Sequence, residues 1–138
     1  MPLDQYYLLG RTGLRISPLG LGTMTFGSAD WHAGPETARA IFHRYLERGG
    51  NFIDTANVYA GGASEELLGR LMEEAGVRDR LVLATKFGGP VDAGDPNARG
   101  NGRKHILAAL DASLRRLRTD SSTCTGSTCG TGSARRRK

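Results

Sequence analysis

Apolar positions along this chain switch repeatedly between two spacings. Short apolar runs at residues 19–23, 51–54 and 81–86 alternate with segments at 35–48, 64–75 and 103–118, where apolar residues recur every three or four positions. The first spacing reads as buried strand, the second as amphipathic helix. In the first helix, Pro35 suits the opening turn, Ala38, Ile41, Phe42 and Tyr45 share a face, and Gly49-Gly50 ends it. In the second, Ser64 is expected as N-cap, with Glu65 and Glu66 in the first turn and Leu67, Leu68 and Leu71 inward. The third has Ile106, Leu107, Leu110, Leu114 and Leu117 as its stripe. Residues 7–16 form a small hairpin with Gly10 and Gly13 at the turn. Strands that alternate with helices imply a parallel sheet, so the expected architecture is an α/β fold of a hairpin followed by three βα units.

The pattern stops at Asp120. From 121 to 138 there is no Leu, Ile, Val or aromatic residue, and nothing there can bury a face. The expected organisation is a folded part over residues 1–120 and a disordered basic tail over 121–138. The tail also explains the charge. Residues 1–120 hold 15 Lys+Arg and 14 Asp+Glu, and the remaining positive charges are Arg135, Arg136, Arg137 and Lys138. The pI of 9.7 therefore describes the tail, not the body. With 38% hydrophobic and 24% charged residues the body reads as globular. No apolar run approaches a membrane span, and no signal segment opens the chain, so a cytoplasmic location is expected. Cys124 and Cys129 lack His or further Cys partners, and no metal site is expected. The Arg-Arg-Arg-Lys end suits at most non-specific contact with nucleic acid or anionic lipid.

Chemistry gathers at the strand ends. Asp54 closes the second run, Tyr59 follows five residues later, and Lys86 closes the third run. A phenol, with an ordinary pKa of about 10, is a poor acid at pH 7. An ammonium beside it favours the phenolate, and a carboxylate keeps the ammonium charged and oriented. Together these are the parts of a device that protonates a carbonyl oxygen. Taken singly, each is an ordinary solvated or capping residue. Gly20, Gly22 and Gly27 read as strand-end bends, and the glycine-rich loop 88–102 lacks the Gly-Lys-Ser/Thr ending of a P-loop.

Gly20-Leu-Gly-Thr-Met24, Phe52-Ile-Asp-Thr-Ala56, Tyr59, Ala84-Thr-Lys-Phe87 and Ser113-Leu-Arg-Arg-Leu117 together resemble the aldo-keto reductases, from about residue 7 to Asp120. The resemblance implies part of an eight-stranded (β/α) TIM barrel that reduces aldehydes and ketones with NADPH. It implies catalytic places for Asp54, Tyr59 and Lys86, and puts Gly22, Thr23 and Met24 beside the nicotinamide. The family's fourth catalytic residue, a His after the next strand, has no counterpart, and Thr128 occupies its slot. A whole barrel of this kind takes about 250 residues, against 138 here. The chain is thus expected to be an inactive N-terminal portion, with its first and third strands left as open edges that invite self-association or aggregation. The alternative is a non-enzymatic interaction module like the family's channel-associated subunits.

The tail itself reads as a frameshift product. The family's continuation after Leu-Arg-Thr-Asp is Tyr-Ile-Asp-Leu-Tyr-Trp-x-His. One coding of it is GAC TAC ATC GAC CTG TAC TGG NTC CAC. Loss of the A in the first Tyr codon gives GAC TCA TCG ACC TGT ACT GGN TCC ACN. That translates as Asp-Ser-Ser-Thr-Cys-Thr-Gly-Ser-Thr, identical to residues 120–128. Cys129-Gly130-Thr131 then follows from a shifted x-Trp-Asp. The other frame of the gene after codon 120 is expected to encode a barrel strand ending in His. Sequencing that region decides the matter, and a frame without such a strand refutes it.

Overall fold

The computed structural model describes residues 2–27, 34–92 and 94–127. A two-stranded antiparallel hairpin, β1 (Tyr7–Leu8) and β2 (Arg15–Ile16), precedes the main sheet. Gly10 and Gly13 turn it with φ of 57° and 78°, values open to glycine at little cost. Three strand–helix pairs follow: β3 (Leu21–Gly22) with α1 (Pro35–Glu47), β4 (Phe52–Asp54) with α2 (Ala63–Ala75), and β5 (Val82–Phe87) with α3 (Arg103–Leu117). The sheet is parallel, in the order β3-β4-β5-β6, where β6 is Cys124–Ser127. The expected hairpin and three βα units are therefore present, with one strand more.

That strand corrects the expectation for the tail. Over residues 124–127 the chain is not structureless. It pairs with β5 in register Ala84↔Cys124 to Phe87↔Ser127. Thr123 extends the pairing: its N–H donates to the Leu83 carbonyl (2.9 Å) and its Oγ1 accepts from the Leu83 N–H (3.2 Å). The physical reason is that a sheet edge recruits through backbone groups, which every non-proline residue carries, so hydrophobic side chains are not required. Arg78 holds the approach, its guanidinium donating to Thr119 Oγ1, the Leu81 carbonyl and the Ser121 carbonyl. The expectation of an open edge on the third strand is corrected with it, since β5 is paired on both sides. Thr128, Cys129 and the Arg135–Lys138 end lie outside the described residues.

The core lies between the sheet and the three helices. Phe42 from α1, Leu68, Leu71 and Met72 from α2, Leu117 from α3, and Ile53 and Leu83 from the strands are buried together. Each such side chain contributes roughly 1.5–3 kcal/mol relative to exposure. In α1 the buried positions are Ala38, Phe42 and Tyr45, whereas Ile41, expected on the same face, is 40% exposed. Tyr45 is more than an apolar filler. Its hydroxyl meets Ser17 Oγ at 2.8 Å, donates toward the Leu19 and Phe52 carbonyls, and accepts from the Phe52 N–H. It thereby ties the entry of β3 to the start of β4.

Helix α3 buries His105, Ala109 and Ser113 together with Leu117, while Ile106, Leu110 and Leu114 of the expected stripe are half-buried and Leu107 is 51% exposed. At its C-terminal end α3 meets α2 closely: a Cβ placed on Gly69 would clash with the Arg116 carbonyl oxygen and stand 2.8 Å from the Leu117 carbonyl carbon. Backbone meets backbone there, and glycine leaves the room for it. Gly69→Ala is accordingly expected to destabilise the chain by about 1–3 kcal/mol, the usual range for overpacking. A urea midpoint equal to that of the parent chain would contradict this packing.

Candidate active site

The carboxyl ends of β4 and β5 are adjacent because the two strands pair in parallel, with Asp54 opposite Ala84. From there the Lys86 ammonium reaches Asp54, with Nζ 2.7 Å from Oδ2, and also donates to the Thr55 carbonyl at 2.7 Å. Both partners are partly exposed, so the pair faces an accessible surface rather than the core. A carboxylate and a carbonyl on one ammonium fix its position more tightly than either would alone.

Tyr59 arrives by a different route. Its backbone N–H donates to the Ala56 carbonyl (3.2 Å), and it opens a 3-10 turn over Tyr59–Gly62. Ala60, Gly61 and Gly62 then run through left-handed conformations, with φ of 49°, 63° and 99°. Two of the three are glycine, which enters this region freely; for Ala60 it carries strain of the order of 1–3 kcal/mol. The reversal sets Tyr59 just ahead of α2 and brings its ring over the ammonium, with Lys86 Nζ 5.2 Å from the ring centroid. A cation at that distance is attracted to the ring face. Asp54, Tyr59 and Lys86 thus stand together.

The expected nicotinamide neighbours divide. Gly22 pairs with Asp54 across β3 and β4, is exposed, and has open space where a Cβ would be. Met24 is exposed as well. Thr23 is fully buried. Its N–H donates to the Asp54 carbonyl (3.0 Å), and its own carbonyl accepts from Ser64 Oγ at 2.7 Å. Thr23 is therefore behind the accessible surface, holding the strand end that carries Asp54. Thr128, expected in the slot of the missing His, lies outside the described residues.

Ser64 is also corrected. Helix α2 begins one residue earlier, with Gly62 as its N-cap, and Ser64 is a buried first-turn residue bonded to Thr23. A serine followed by two glutamates gives a capping signal, and only the three-dimensional contact with Thr23 reveals its other use. Glu65 takes its expected place in the first turn, and it is fully buried there. Its Oε1 accepts from Thr85 Oγ1 at 2.5 Å and its Oε2 from Arg116 Nε at 2.8 Å. Thr85 precedes Lys86 in β5, and alternation along a strand sends their side chains to opposite faces. The buried network thus braces the strand from the helix side while Lys86 works on the other. Arg116 comes from the Ser-Leu-Arg-Arg-Leu segment quoted for the resemblance, but its pairing over 51 residues of separation left no local mark.

The model of the aldo/keto reductase family matches residues 18–122. A norsolorinic acid reductase of Emericella nidulans is 45% identical over 117 residues, which are 78% of this chain and 30% of the relative. A protein of Arabidopsis thaliana named as a probable voltage-gated potassium channel subunit beta is 40% identical over 120 residues, 84% of this chain and 34% of the relative. Among solved structures, an aldo-keto reductase of Bacillus halodurans in its holo form superposes with a TM-score of 0.76 at 32% identity, covering 88% of this chain and 39% of that one. The chain spans about a third of the length of these curated relatives. Its sheet and helices are part of the TIM barrel of those structures. The chain belongs to the aldo/keto reductase family.

Proposed function

We propose that this chain carries the acid–base half of a site that reduces aldehydes or ketones with NADPH. The observation that carries the reading is the single ammonium shared by a carboxylate and a phenol, with Lys86 Nζ at 2.7 Å from Asp54 Oδ2 and 5.2 Å from the Tyr59 ring centroid. In this reading Tyr59 is the proton donor to the carbonyl oxygen. Lys86 stands beside the ring and stabilises the negative charge left on the phenolate oxygen. Asp54 and the Thr55 carbonyl hold Lys86 in place. NADPH, when bound, supplies the hydride. Gly22 and Met24 suit its nicotinamide end, because they leave an open, accessible surface beside Asp54. Thr23 acts from behind, through the Asp54 backbone.

Turnover needs more than these residues. Positioning both reactants contributes a large share of catalysis, and the residues named here address only one end of the cofactor. We therefore expect the 138-residue chain to show no reduction above background, and a frame-restored, completed barrel to show it. The test is a steady-state assay of both proteins with NADPH and a reactive aldehyde. Turnover by the 138-residue chain that Tyr59→Phe abolishes would overturn the expectation of inactivity. Absence of turnover in the completed barrel would overturn the reductase reading and favour a docking subunit, a reading supported by the likeness to the Arabidopsis protein. A cytoplasmic location belongs to the same proposal.

A further inference from the structure

The amino ends of β4, β5 and β6 lie at the opposite end of the sheet from Asp54 and Lys86. An open cleft of about 390 Å³ lies there. It runs from the hairpin, at Arg15, across the 3-10 turn Arg78–Arg80 to residues 121–123, which lead into β6. Arg15, Arg78 and Arg80 line it, and Asp79 is the one carboxylate among its lining residues. Elsewhere on the chain Arg39, Arg44, Arg116 and Arg118 each hold a glutamate. Among the described residues, none of the three cleft arginines takes part in an ion pair.

Arg78 is half-buried. Its guanidinium donates to Thr119 Oγ1 at 3.0 Å, to the Leu81 carbonyl at 3.2 Å and to the Ser121 carbonyl at 2.5 Å. All three acceptors are uncharged, and a guanidinium has more N–H donors than these three bonds use. A half-buried cation among neutral acceptors keeps an unanswered charge, and an anion that reaches it gains charge-assisted hydrogen bonds. Arg15 and Arg80 are exposed, and among the described residues their side chains make no hydrogen bond, so both can turn to the same ligand. Several planar forks around one cleft match the oxygens of a tetrahedral oxyanion better than the two of a carboxylate. Three guanidinium groups against one carboxylate favour a dianion over a monoanion.

We propose that this cleft binds a phosphate group, as the free ion or as a monoester, with Arg78 holding it from a half-buried position and Arg15 and Arg80 closing on it from the surface. The walls come from the hairpin, from the turn before β5 and from the segment leading into β6. A phosphate bound among them therefore also fastens β6 to the rest of the sheet. The site is separate from the carbonyl-reducing arrangement and does not depend on it.

The test titrates the isotope-labelled 138-residue chain with inorganic phosphate and with phenyl phosphate, at constant ionic strength, and follows its NMR spectrum. Saturable shifts are expected on the side-chain Nε–H groups of Arg15, Arg78 and Arg80 and on the backbone N–H groups of Ser122 and Thr123. Hydrogen exchange should slow at the Thr123 N–H, which donates to the Leu83 carbonyl. Acetate at the same ionic strength is expected to bind at least about tenfold more weakly. Arg15→Gln and Arg80→Gln, exposed changes that leave the three bonds of Arg78 in place, are each expected to weaken phosphate by about tenfold. Tighter binding of phenyl phosphate than of inorganic phosphate supports the site with an ester as its natural ligand, and the reverse order supports it with the free ion. Equal response to phosphate and acetate, shifts centred elsewhere, no saturation at tens of millimolar, or an affinity unchanged in both variants would each overturn the proposal.

Discussion

Tyr59→Phe, introduced into a version of this chain whose frame after Asp120 is restored to a full barrel, is expected to lower NADPH-dependent aldehyde reduction by about 10²–10⁴-fold. Phenylalanine keeps the ring and its contact with the Lys86 ammonium, so the change removes little besides the proton. Loss should therefore fall on turnover more than on substrate affinity, since the proton moves only in the transition state. Lys86→Met in the same background is expected to be similarly damaging, for a different reason. It removes the positive charge beside the ring, and it leaves Asp54 without its 2.7 Å partner. A Tyr59→Phe enzyme with unaltered turnover would show that the carbonyl takes its proton from elsewhere. The assignment of Asp54, Tyr59 and Lys86 would then fail as a unit.

Arg116→Met is expected to destabilise the 138-residue chain by about 3–5 kcal/mol, enough to unfold much of a domain of ordinary stability. The reason is Glu65. Its carboxylate is fully buried between α2, α3 and β5, and Arg116 is the charge that answers it. Removing the guanidinium leaves a buried anion with, among the described residues, only the Thr85 hydroxyl as side-chain donor. The companion variant Glu65→Leu with Arg116→Met should recover most of the loss, because apolar replacement of both partners removes the uncompensated charge. It should not recover all of it, since Thr85 Oγ1 would lose its acceptor. Urea denaturation of the three proteins measures this directly. Equal losses for the single and double variants would mean that packing, not the ion pair, holds α2 to α3.

By contrast, the exposed pair of Arg39 on α1 and Glu74 on α2 is a minor contributor. The guanidinium, through its hydrogen bond first, holds the Glu74 carboxyl below the ordinary range. A carboxyl depressed in this way supports folding above its unfolded pKa and loses that support as the pH falls through the depressed value.

The order of strands and helices was legible in the sequence because it rests on local spacing. A period near two or near 3.6 is written into successive residues, and the glycines at 49 and 50 mark the end of the first helix. Asp54 and Lys86 were legible as neighbours because parallel strands bring their carboxyl ends together, and Tyr59 joins them from the turn that follows β4. Other features were set by contacts between distant segments. Glu65, in the first turn as expected, became a buried partner of Arg116, and Ser64 a brace on Thr23 rather than a cap. Gly69 of α2 meets the backbone of α3 at Arg116 and Leu117, a contact between residues far apart in sequence. Cys124–Ser127 became a strand without any apolar residue beyond a half-buried cysteine, because the open side of β5 offered backbone hydrogen bonds. Side-chain periodicity decides which face of an element is apolar, and that much the chain determined by itself. Which neighbour each face meets, and which polar group finds its partner there, arose only when residues remote in sequence were packed together, where burial makes an unpaired group costly.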